Sequence, residues 1–131
     1  MRKFIVVGHG ELPVALVNSA KMIVGDSENI FVISLQVEDG KDELEAKFDT
    51  IYDEIKDYEV IVFVDLFGGS PANAAIQKYM YNDAITILSG MNLPMFLTAI
   101  LTPNVEIKEL LEKGKEGILD IKAQLHILEE E

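Results

Sequence analysis

Short apolar runs alternate along the chain with longer segments in which apolar residues recur every three or four positions. Apolar runs bounded by turn residues are typical of buried strands, and the longer period is typical of amphipathic helices. The strands predicted in this way are Lys3–Val7, Ile30–Ile33, Val60–Val64 and Ala84–Leu88. This alternation predicts an α/β fold, a doubly wound, mostly parallel sheet of four strands with helices on both faces.

The segments between the strands predict the helices. The predicted helices are Leu12–Val24, Asp42–Ile55, one opening at Ser70-Pro71, a short one ending near Leu101, and Val105–Lys113. Ser70 suits the N-cap of the third helix, and Pro71 suits its first helical position. The predicted inward faces of the first two helices are Leu12, Ala15, Leu16, Met22 and Ile23, and Leu44, Phe48, Ile51, Tyr52 and Ile55.

The period changes near the C-terminus. Gly114 and Gly117 are predicted to end the last helix, because glycine disfavours helix interiors. Apolar residues then alternate with polar ones, which predicts a strand over Ile118–Leu128 with one buried face. The alternating apolar residues are Leu119, Ile121, Ala123, Leu125 and Ile127. We expect residues 118–131 to form an antiparallel edge strand, open to pairing with another chain, and an acidic tail.

Composition narrows the classes of protein to consider. A length of 131 residues with 49% hydrophobic content predicts a single domain, residues 1–131, with a substantial core. No apolar run reaches the length of about 18 residues that a membrane span needs, so no direct membrane insertion is expected. The net charge of −12 argues against nucleic acid as a partner. The absence of cysteine excludes disulfides and thiolate metal sites, and it fits a cytoplasmic location.

Candidate chemistry lies at the ends of two predicted strands. His9 sits between two glycines just after the first strand, and Asp65 directly follows the third. Ligands in open α/β sheets bind beyond the carboxyl ends of the strands, and these two ends become neighbours if the strand order reverses beside the first strand. His9 and Asp65 would then meet.

These residue types fit a phosphoryl group carried on His9. A neutral imidazole is a nucleophile at its unprotonated nitrogen, and a carboxylate such as Asp65 on the other nitrogen fixes the tautomer. The turn Gly68-Gly69-Ser70 leads into a helix N-terminus, which favours an anion. Gly10 lets the chain approach closely beside His9. No metal site and no cofactor are expected.

The sequence resembles a known family in three segments. These are Val7–Gly10, Val64–Asn73 and Ser89–Met95, and they look like the mannose-family IIA domain of the bacterial phosphoenolpyruvate-dependent sugar phosphotransferase system (PTS). The Asp-x-x-Gly-Gly-Ser-Pro-x-Asn segment is the specific one. Phe67 departs modestly, since some members carry tryptophan there. With no linker or IIB domain following, the chain looks like a free-standing IIA subunit.

The resemblance implies a role for each candidate residue. His9 would be phosphorylated by the phosphocarrier HPr and would pass the group to a IIB component during coupled sugar uptake and phosphorylation. Asp65 would hydrogen-bond the histidine, and Gly10, Gly69 and Ser70 would cradle the phosphoryl group. A homodimer that exchanges its last strand is also implied.

Three alternatives are considered at this stage, of which the first is discounted and the other two stay open. A receiver-like regulator would need an acidic pair after the first strand, where Gly8 and His9 stand. A metal-binding or chelatase-like protein using His9 would need further ligands, usually imidazoles, and only His126 remains. His126 is interpreted as a surface residue, and Met91 as core or rim. A non-catalytic regulatory module on the same fold is the third alternative.

Overall fold

The computed structural model describes residues 2–130, apart from the side chains of Leu128 and Glu130. The strands are β1 (Arg2–His9), β2 (Ile30–Leu35), β3 (Glu59–Val64) and β4 (Ile85–Leu88). The helices are α1 (Leu12–Val24), α2 (Lys41–Thr50), α3 (Tyr52–Ile55), α4 (Ser70–Tyr79), α5 (Leu93–Leu101), α6 (Ile107–Glu116) and α7 (Ile121–Glu130). No helix within the described residues is long and apolar enough to cross a membrane.

The four strands form one sheet in the order β2-β1-β3-β4, and every pairing is parallel. This confirms the predicted parallel sheet. The chain passes from β1 to β2 on one side of β1. It then crosses over to β3 on the other side, so the strand order reverses beside β1. Val7 of β1 pairs with Val64 of β3, and the carboxyl ends of these two strands are therefore neighbours.

Apolar side chains alternate across the sheet and build a core on each face. On one face Ile5 and Val62 pack with residues of α2, α3 and α4. On the other face Phe4, Phe63 and Phe96 pack with residues of α1, α5 and α6, with ring centroids 5.4 to 6.4 Å apart. Helices therefore cover both faces of the sheet, as predicted. They bury the apolar side chains that each sheet face presents.

The predicted inward face of α1 is largely wrong. Leu12, Met22 and Ile23 are 51%, 88% and 59% exposed, Ala15 is also exposed, and only Leu16 of the predicted set is partly buried. The buried residues of α1 are instead Pro13, Val17 and Ala20. Apolar residues occur on more than one side of this helix, so periodicity alone does not select a face.

The predicted second helix is divided in the structure. It ends as α2 at Thr50 and resumes as α3 after Ile51. Leu44, Phe48 and Ile55 are buried as predicted, but Tyr52 is 58% exposed. The break at Ile51 changes the rotation about the helix axis from one residue to the next. Tyr52 therefore does not lie on the inward face that one continuous helix would give it.

Gly114 does not end the last predicted helix but lies inside α6, where it is buried. A Cβ at this position would lie 2.8 Å from Met95 Cε, and one at Gly117 would lie 2.6 Å from Pro94 Cγ. Real Cβ atoms do not approach so closely. The two glycines therefore let α6 pack tightly on α5, and Gly117 alone stands at the helix end.

The predicted C-terminal edge strand is a helix in the structure. Residues 121–130 form α7, and its described side chains are all exposed. Asp120 starts the helix, because its Oδ1 accepts from the Ala123 N–H at 3.0 Å and its carbonyl accepts from the Gln124 N–H at 3.0 Å. A helix satisfies its backbone within the segment, whereas a lone strand leaves it unpaired. Glu131, the end of the predicted acidic tail, lies outside the described residues.

Candidate functional site

The two candidate side chains meet where β1 and β3 end. His9 is the last residue of β1, and Asp65 follows β3 directly. The pairing of Val7 with Val64 places Asp65 beside Gly8, one residue before His9. The His9 Nδ1 atom lies 2.7 Å from Asp65 Oδ2. The structure thus brings together the imidazole and the carboxylate that the sequence selected, as the reversed strand order requires.

Asp65 is held by three hydrogen bonds. Its Oδ2 accepts from the His9 backbone N–H at 2.9 Å as well as from the His9 ring, and its Oδ1 accepts from the Leu66 backbone N–H at 2.9 Å. The Asp65 side chain is 7% exposed, whereas that of His9 is 48% exposed. A fixed, covered carboxylate therefore supports a ring whose far side faces solvent.

The charge of Asp65 decides the tautomer of His9. Burial on its own would raise the pKa of Asp65, but the hydrogen bonds from the His9 ring and from the His9 and Leu66 amides outweigh it and lower the pKa below 3.8. At neutral pH the carboxylate is ionised and can only accept. The proton of the neutral ring then lies on Nδ1, and Nε2 carries the free lone pair.

The start of α4 lies beside the ring. A Cβ on Gly69 would lie 3.0 Å from His9 Cε1 and 3.6 Å from Nε2, so any larger residue would press on the ring in this position. Gly69 occupies the N-cap position and Ser70 is the first helical residue, so the helix begins one residue earlier than predicted. No side-chain hydrogen bond caps α4, so the predicted capping role of Ser70 is wrong. Its hydroxyl is correspondingly not committed to a cap.

Gly10 and Gly68 shape the two turns on either side of the site. Their φ angles are +56° and +94°, a region that favours glycine. The Gly10 N–H donates to the Leu35 carbonyl at 2.8 Å and so extends the pairing of β1 with β2. The direct contribution of Gly10 is therefore to turn the chain behind His9.

Residues 3–115 match the family model EIIA-man, described as the PTS system fructose IIA component. The chain belongs to this mannose family of PTS IIA components. One relative, the fructose-specific EIIA component of Bacillus subtilis (strain 168), is 32% identical over 117 residues, which cover 88% of this chain and 80% of that protein. The mannose-specific EIIAB component of Escherichia coli (strain K12) is 27% identical over 92% of this chain and 40% of its own length.

A solved structure of the same family supports the fold. The PTS IIA protein associated with the fucose utilization operon of Streptococcus pneumoniae superposes with a TM-score of 0.89. It is 28% identical, and the match covers 95% of this chain and 96% of that one. The protein is thus a component of a sugar phosphotransferase system, as the three sequence segments indicated.

This IIA site includes two residues that sequence reasoning missed, Gly8 and Met91. A Cβ on Gly8 would lie 3.1 Å from both Cγ and Oδ2 of Asp65 and 3.3 Å from Met91 Cε. The Met91 N–H donates to the Val64 carbonyl at 3.1 Å, which fixes the loop after β4 against the end of β3. The available signal was positional, since Met91 also follows a strand end on this edge of the sheet.

The other histidine lies apart from the IIA site. His126 is in α7, its side chain is 80% exposed, and its Nδ1 lies 3.7 Å from Glu129 Oε2 on the same helix. Across residues 2–130 no three imidazole or carboxylate side chains are grouped so that they could hold a metal ion. The metal-binding alternative therefore has no ligand set among the described residues.

Proposed function

We propose that this protein is a phosphoryl carrier in which His9 accepts a phosphoryl group from phosphorylated HPr and passes it to a IIB component. The observation that carries the proposal is the contact of 2.7 Å between His9 Nδ1 and Asp65 Oδ2, on a ring that is 48% exposed. The buried side of the ring is fixed and protonated, and its solvent side carries the lone pair. This is the arrangement that a nucleophilic imidazole needs.

The proposed step makes one bond to phosphorus and breaks one. The Nε2 lone pair attacks the phosphorus atom, the bond between phosphorus and the carrier breaks, and its electron pair stays with the carrier. The Nδ1 proton remains on His9, and the ring gains positive charge as the phosphoryl group arrives. Ionised Asp65 stabilises that charge and keeps the ring in position. Transfer to IIB is the same step in reverse direction, with Nε2 as the leaving group.

The start of α4 would hold the phosphoryl oxygens. The first turn of a helix has N–H groups without intrahelical acceptors, and it favours negative charge. In α4 these groups belong to Gly69, Ser70 and Ala72, because Pro71 has no N–H. We assign the phosphoryl oxygens to this turn, with Gly68 and Gly69 leaving the space and the Ser70 hydroxyl as a further donor.

Phosphorylation in a reconstituted system tests the proposal. The protein would be incubated with phosphoenolpyruvate, the first enzyme of the system and HPr, and its intact mass measured before and after acid treatment. We expect one acid-labile phosphoryl group on the wild type and on His126→Ala, and none on His9→Ala. Labelling of His9→Ala at the wild-type rate would contradict the assignment.

We also propose that the protein works in the cytoplasm as a homodimer held together through α7. Five large apolar side chains in and just before this helix are more than half exposed: Ile118, Leu119, Ile121, Leu125 and Ile127. An amphipathic helix with an uncovered apolar side is stabilised by burying it. Light scattering of the wild type and of a chain ending at Gly117 would compare their masses in solution.

A further inference from the structure

The loop between β4 and α5 has no part in the proposed transfer step, although it belongs to one of the three segments on which the family resemblance rests. It comprises residues 89–92, directly after Leu88. Its third residue, Met91, is bonded to the end of β3, where Asp65 follows. The contacts of Met91 therefore show what this loop adds to the IIA site.

The backbone of Met91 holds the chain directly before Asp65. The Met91 N–H donates to the Val64 carbonyl at 3.1 Å, and Val64 is the residue that precedes Asp65. Gly90 has a φ angle of +71°, a conformation that favours glycine, and it turns the loop back toward β3. The position of the Asp65 backbone thus depends on a hydrogen bond from this loop.

The side chain of Met91 shares a space with the carboxyl group of Asp65. A Cβ on Gly8 would lie 3.3 Å from Met91 Cε and 3.1 Å from Asp65 Cγ, so both side chains reach the space that a larger residue at position 8 would fill. Met91 is partly buried and packs against the core that contains Phe63. Residues two apart along a strand lie on one face, so Phe63 and Asp65 share that face. An apolar side chain backed by the core therefore lies beside the carboxylate.

The next residue anchors the same loop to two helices. Asn92 Oδ1 accepts from the Met95 N–H at 3.0 Å, and Asn92 Nδ2 donates to the Gly114 carbonyl at 3.2 Å. These bonds join the loop to α5 and α6. Met91 is thus fixed by β3 through its own amide and by α5 and α6 through its neighbour.

We propose that Met91 is a positioning residue, which holds Asp65 where its Oδ2 meets His9 Nδ1 and keeps water from the carboxylate. The inference rests on the proposed function. The three hydrogen bonds of Asp65 come from His9 and Leu66, the residues of the site itself. Met91 adds support from a separate part of the chain, the loop after β4.

Two effects on His9 follow from this support. Exclusion of water lowers the local dielectric constant, which strengthens the attraction between ionised Asp65 and the positive charge that the ring gains. A fixed carboxylate also keeps the ring proton on Nδ1. A shorter side chain at position 91 would admit water to the carboxylate and let it turn, and a smaller fraction of the rings would then carry the proton on Nδ1.

Transfer kinetics provide the first test. Met91→Ala would be compared with Met91→Leu, which keeps most of the apolar volume, and with Met95→Ala, a truncation at a position of α5 that is 4% exposed. We expect Met91→Ala to lower the maximal rate of transfer from phosphorylated HPr about 10- to 100-fold, because a small misplacement of a catalytic group costs rate of this order. The HPr concentration at half-maximal rate should not change. Met91→Leu and Met95→Ala should transfer at close to the wild-type rate.

The tautomer of the His9 ring provides a second test that needs no phosphoryl transfer. The nitrogen chemical shifts of the neutral ring would be measured by NMR in a His126→Ala background, which leaves a single histidine. We expect a proton on Nδ1 in the parent protein, in Met91→Leu and in Met95→Ala, and a mixture of tautomers in Met91→Ala. Met91→Val should show the same change to a smaller degree, and it replaces Met91→Ala if that variant does not fold.

Other outcomes would overturn the inference. A wild-type rate and a single tautomer in Met91→Ala would show that Asp65 needs no support from the loop. A raised HPr concentration at half-maximal rate, with an unchanged maximal rate, would assign Met91 to the contact with the carrier. An equal loss of rate in Met95→Ala would reveal a general loosening of α5. If the wild type accepts no phosphoryl group, the proposed function fails, and the tautomers alone decide whether Met91 positions Asp65.

Discussion

β1 and α7 lie at opposite ends of the chain, and they differ in how deeply the rest of the protein buries them. Every residue of β1 from Phe4 to Gly8 is buried, and the strand has parallel neighbours on both sides. The described side chains of α7 are all exposed. Contacts from both cores fix the conformation and direction of β1, whereas local backbone bonds and the Asp120 cap define α7. Changes near β1 should therefore act on chemistry and stability together, and changes in α7 on assembly.

The largest expected effect is from Asp65→Asn. An asparagine side chain can donate to Nδ1, which would place the ring proton on Nε2 and remove the attacking lone pair. By analogy with the orienting carboxylates of catalytic triads, we expect single-turnover transfer from phosphorylated HPr to slow by about 10² to 10⁴-fold. Asp120→Asn is the matched control at α7, and it should transfer at the wild-type rate because asparagine caps helices as well as aspartate.

The same variant has a stability signature in acid. The pKa of Asp65 is lowered in the folded protein, so its contribution to stability is complete above the ordinary value of 3.8 and is lost as pH falls through the folded-state pKa. Wild type should therefore lose stability more steeply than Asp65→Asn below about pH 4 in chemical denaturation. If the unfolding free energies of the two proteins fell in parallel with pH, Asp65 would not be the source of the pH dependence.

Gly8→Ala and Gly69→Ala should separate stability from rate within the site. The new Cβ at Gly8 would meet Asp65, which three hydrogen bonds hold in place, so overpacking should cost about 1 to 3 kcal/mol of unfolding free energy. At Gly69 the Cβ would meet the His9 ring, which is half exposed and can swing away. Gly69→Ala should thus melt near the wild type and transfer more slowly. A larger stability loss at Gly69 than at Gly8 would refute this distinction.

Removal of α7 should affect assembly alone. A chain ending at Gly117 keeps β1, β3 and the start of α4, so its phosphorylation rate should stay close to that of the wild type while light scattering reports a monomer. Leu125→Ser should do the same at full length and change unfolding free energy by less than about 0.5 kcal/mol, because the side chain is exposed. A truncated protein that remains a stable dimer would place the interface elsewhere.

The smallest effect is expected from Ser70→Ala. Loss of a capping side chain costs about 1 kcal/mol, but Ser70 makes no such bond in the structure, so the unphosphorylated protein should change by less than about 0.5 kcal/mol. The phosphorylated form should lose more, through the missing hydroxyl donor. Thermal melts of both forms compare the two losses, and equal losses would limit Ser70 to a structural role.

The sequence predicted β1 and β3 well because each is a continuous apolar run that ends in turn residues. The meeting of His9 and Asp65 followed from one further assumption, a reversed strand order. Other features depend on partners that periodicity does not show. The sequence predicts a helix end at Gly114 because glycine disfavours helix interiors. The reason for this glycine is its close contact with Met95 of α5, which the sequence of α6 does not show. α7 was misread because its apolar residues fit either period.

The hydrogen bonds of Asp65 affect how easily His9 could both accept and release a phosphoryl group. All three use donors that His9 and Leu66 already present, and the proposed phosphoryl bond forms on the opposite ring nitrogen. Loading and unloading then require no exchange of partners around the carboxylate, and a preorganised site adds little reorganisation energy in either direction. A site with similar costs in both directions suits a phosphoryl carrier, which has to release the phosphoryl group as readily as it accepts it.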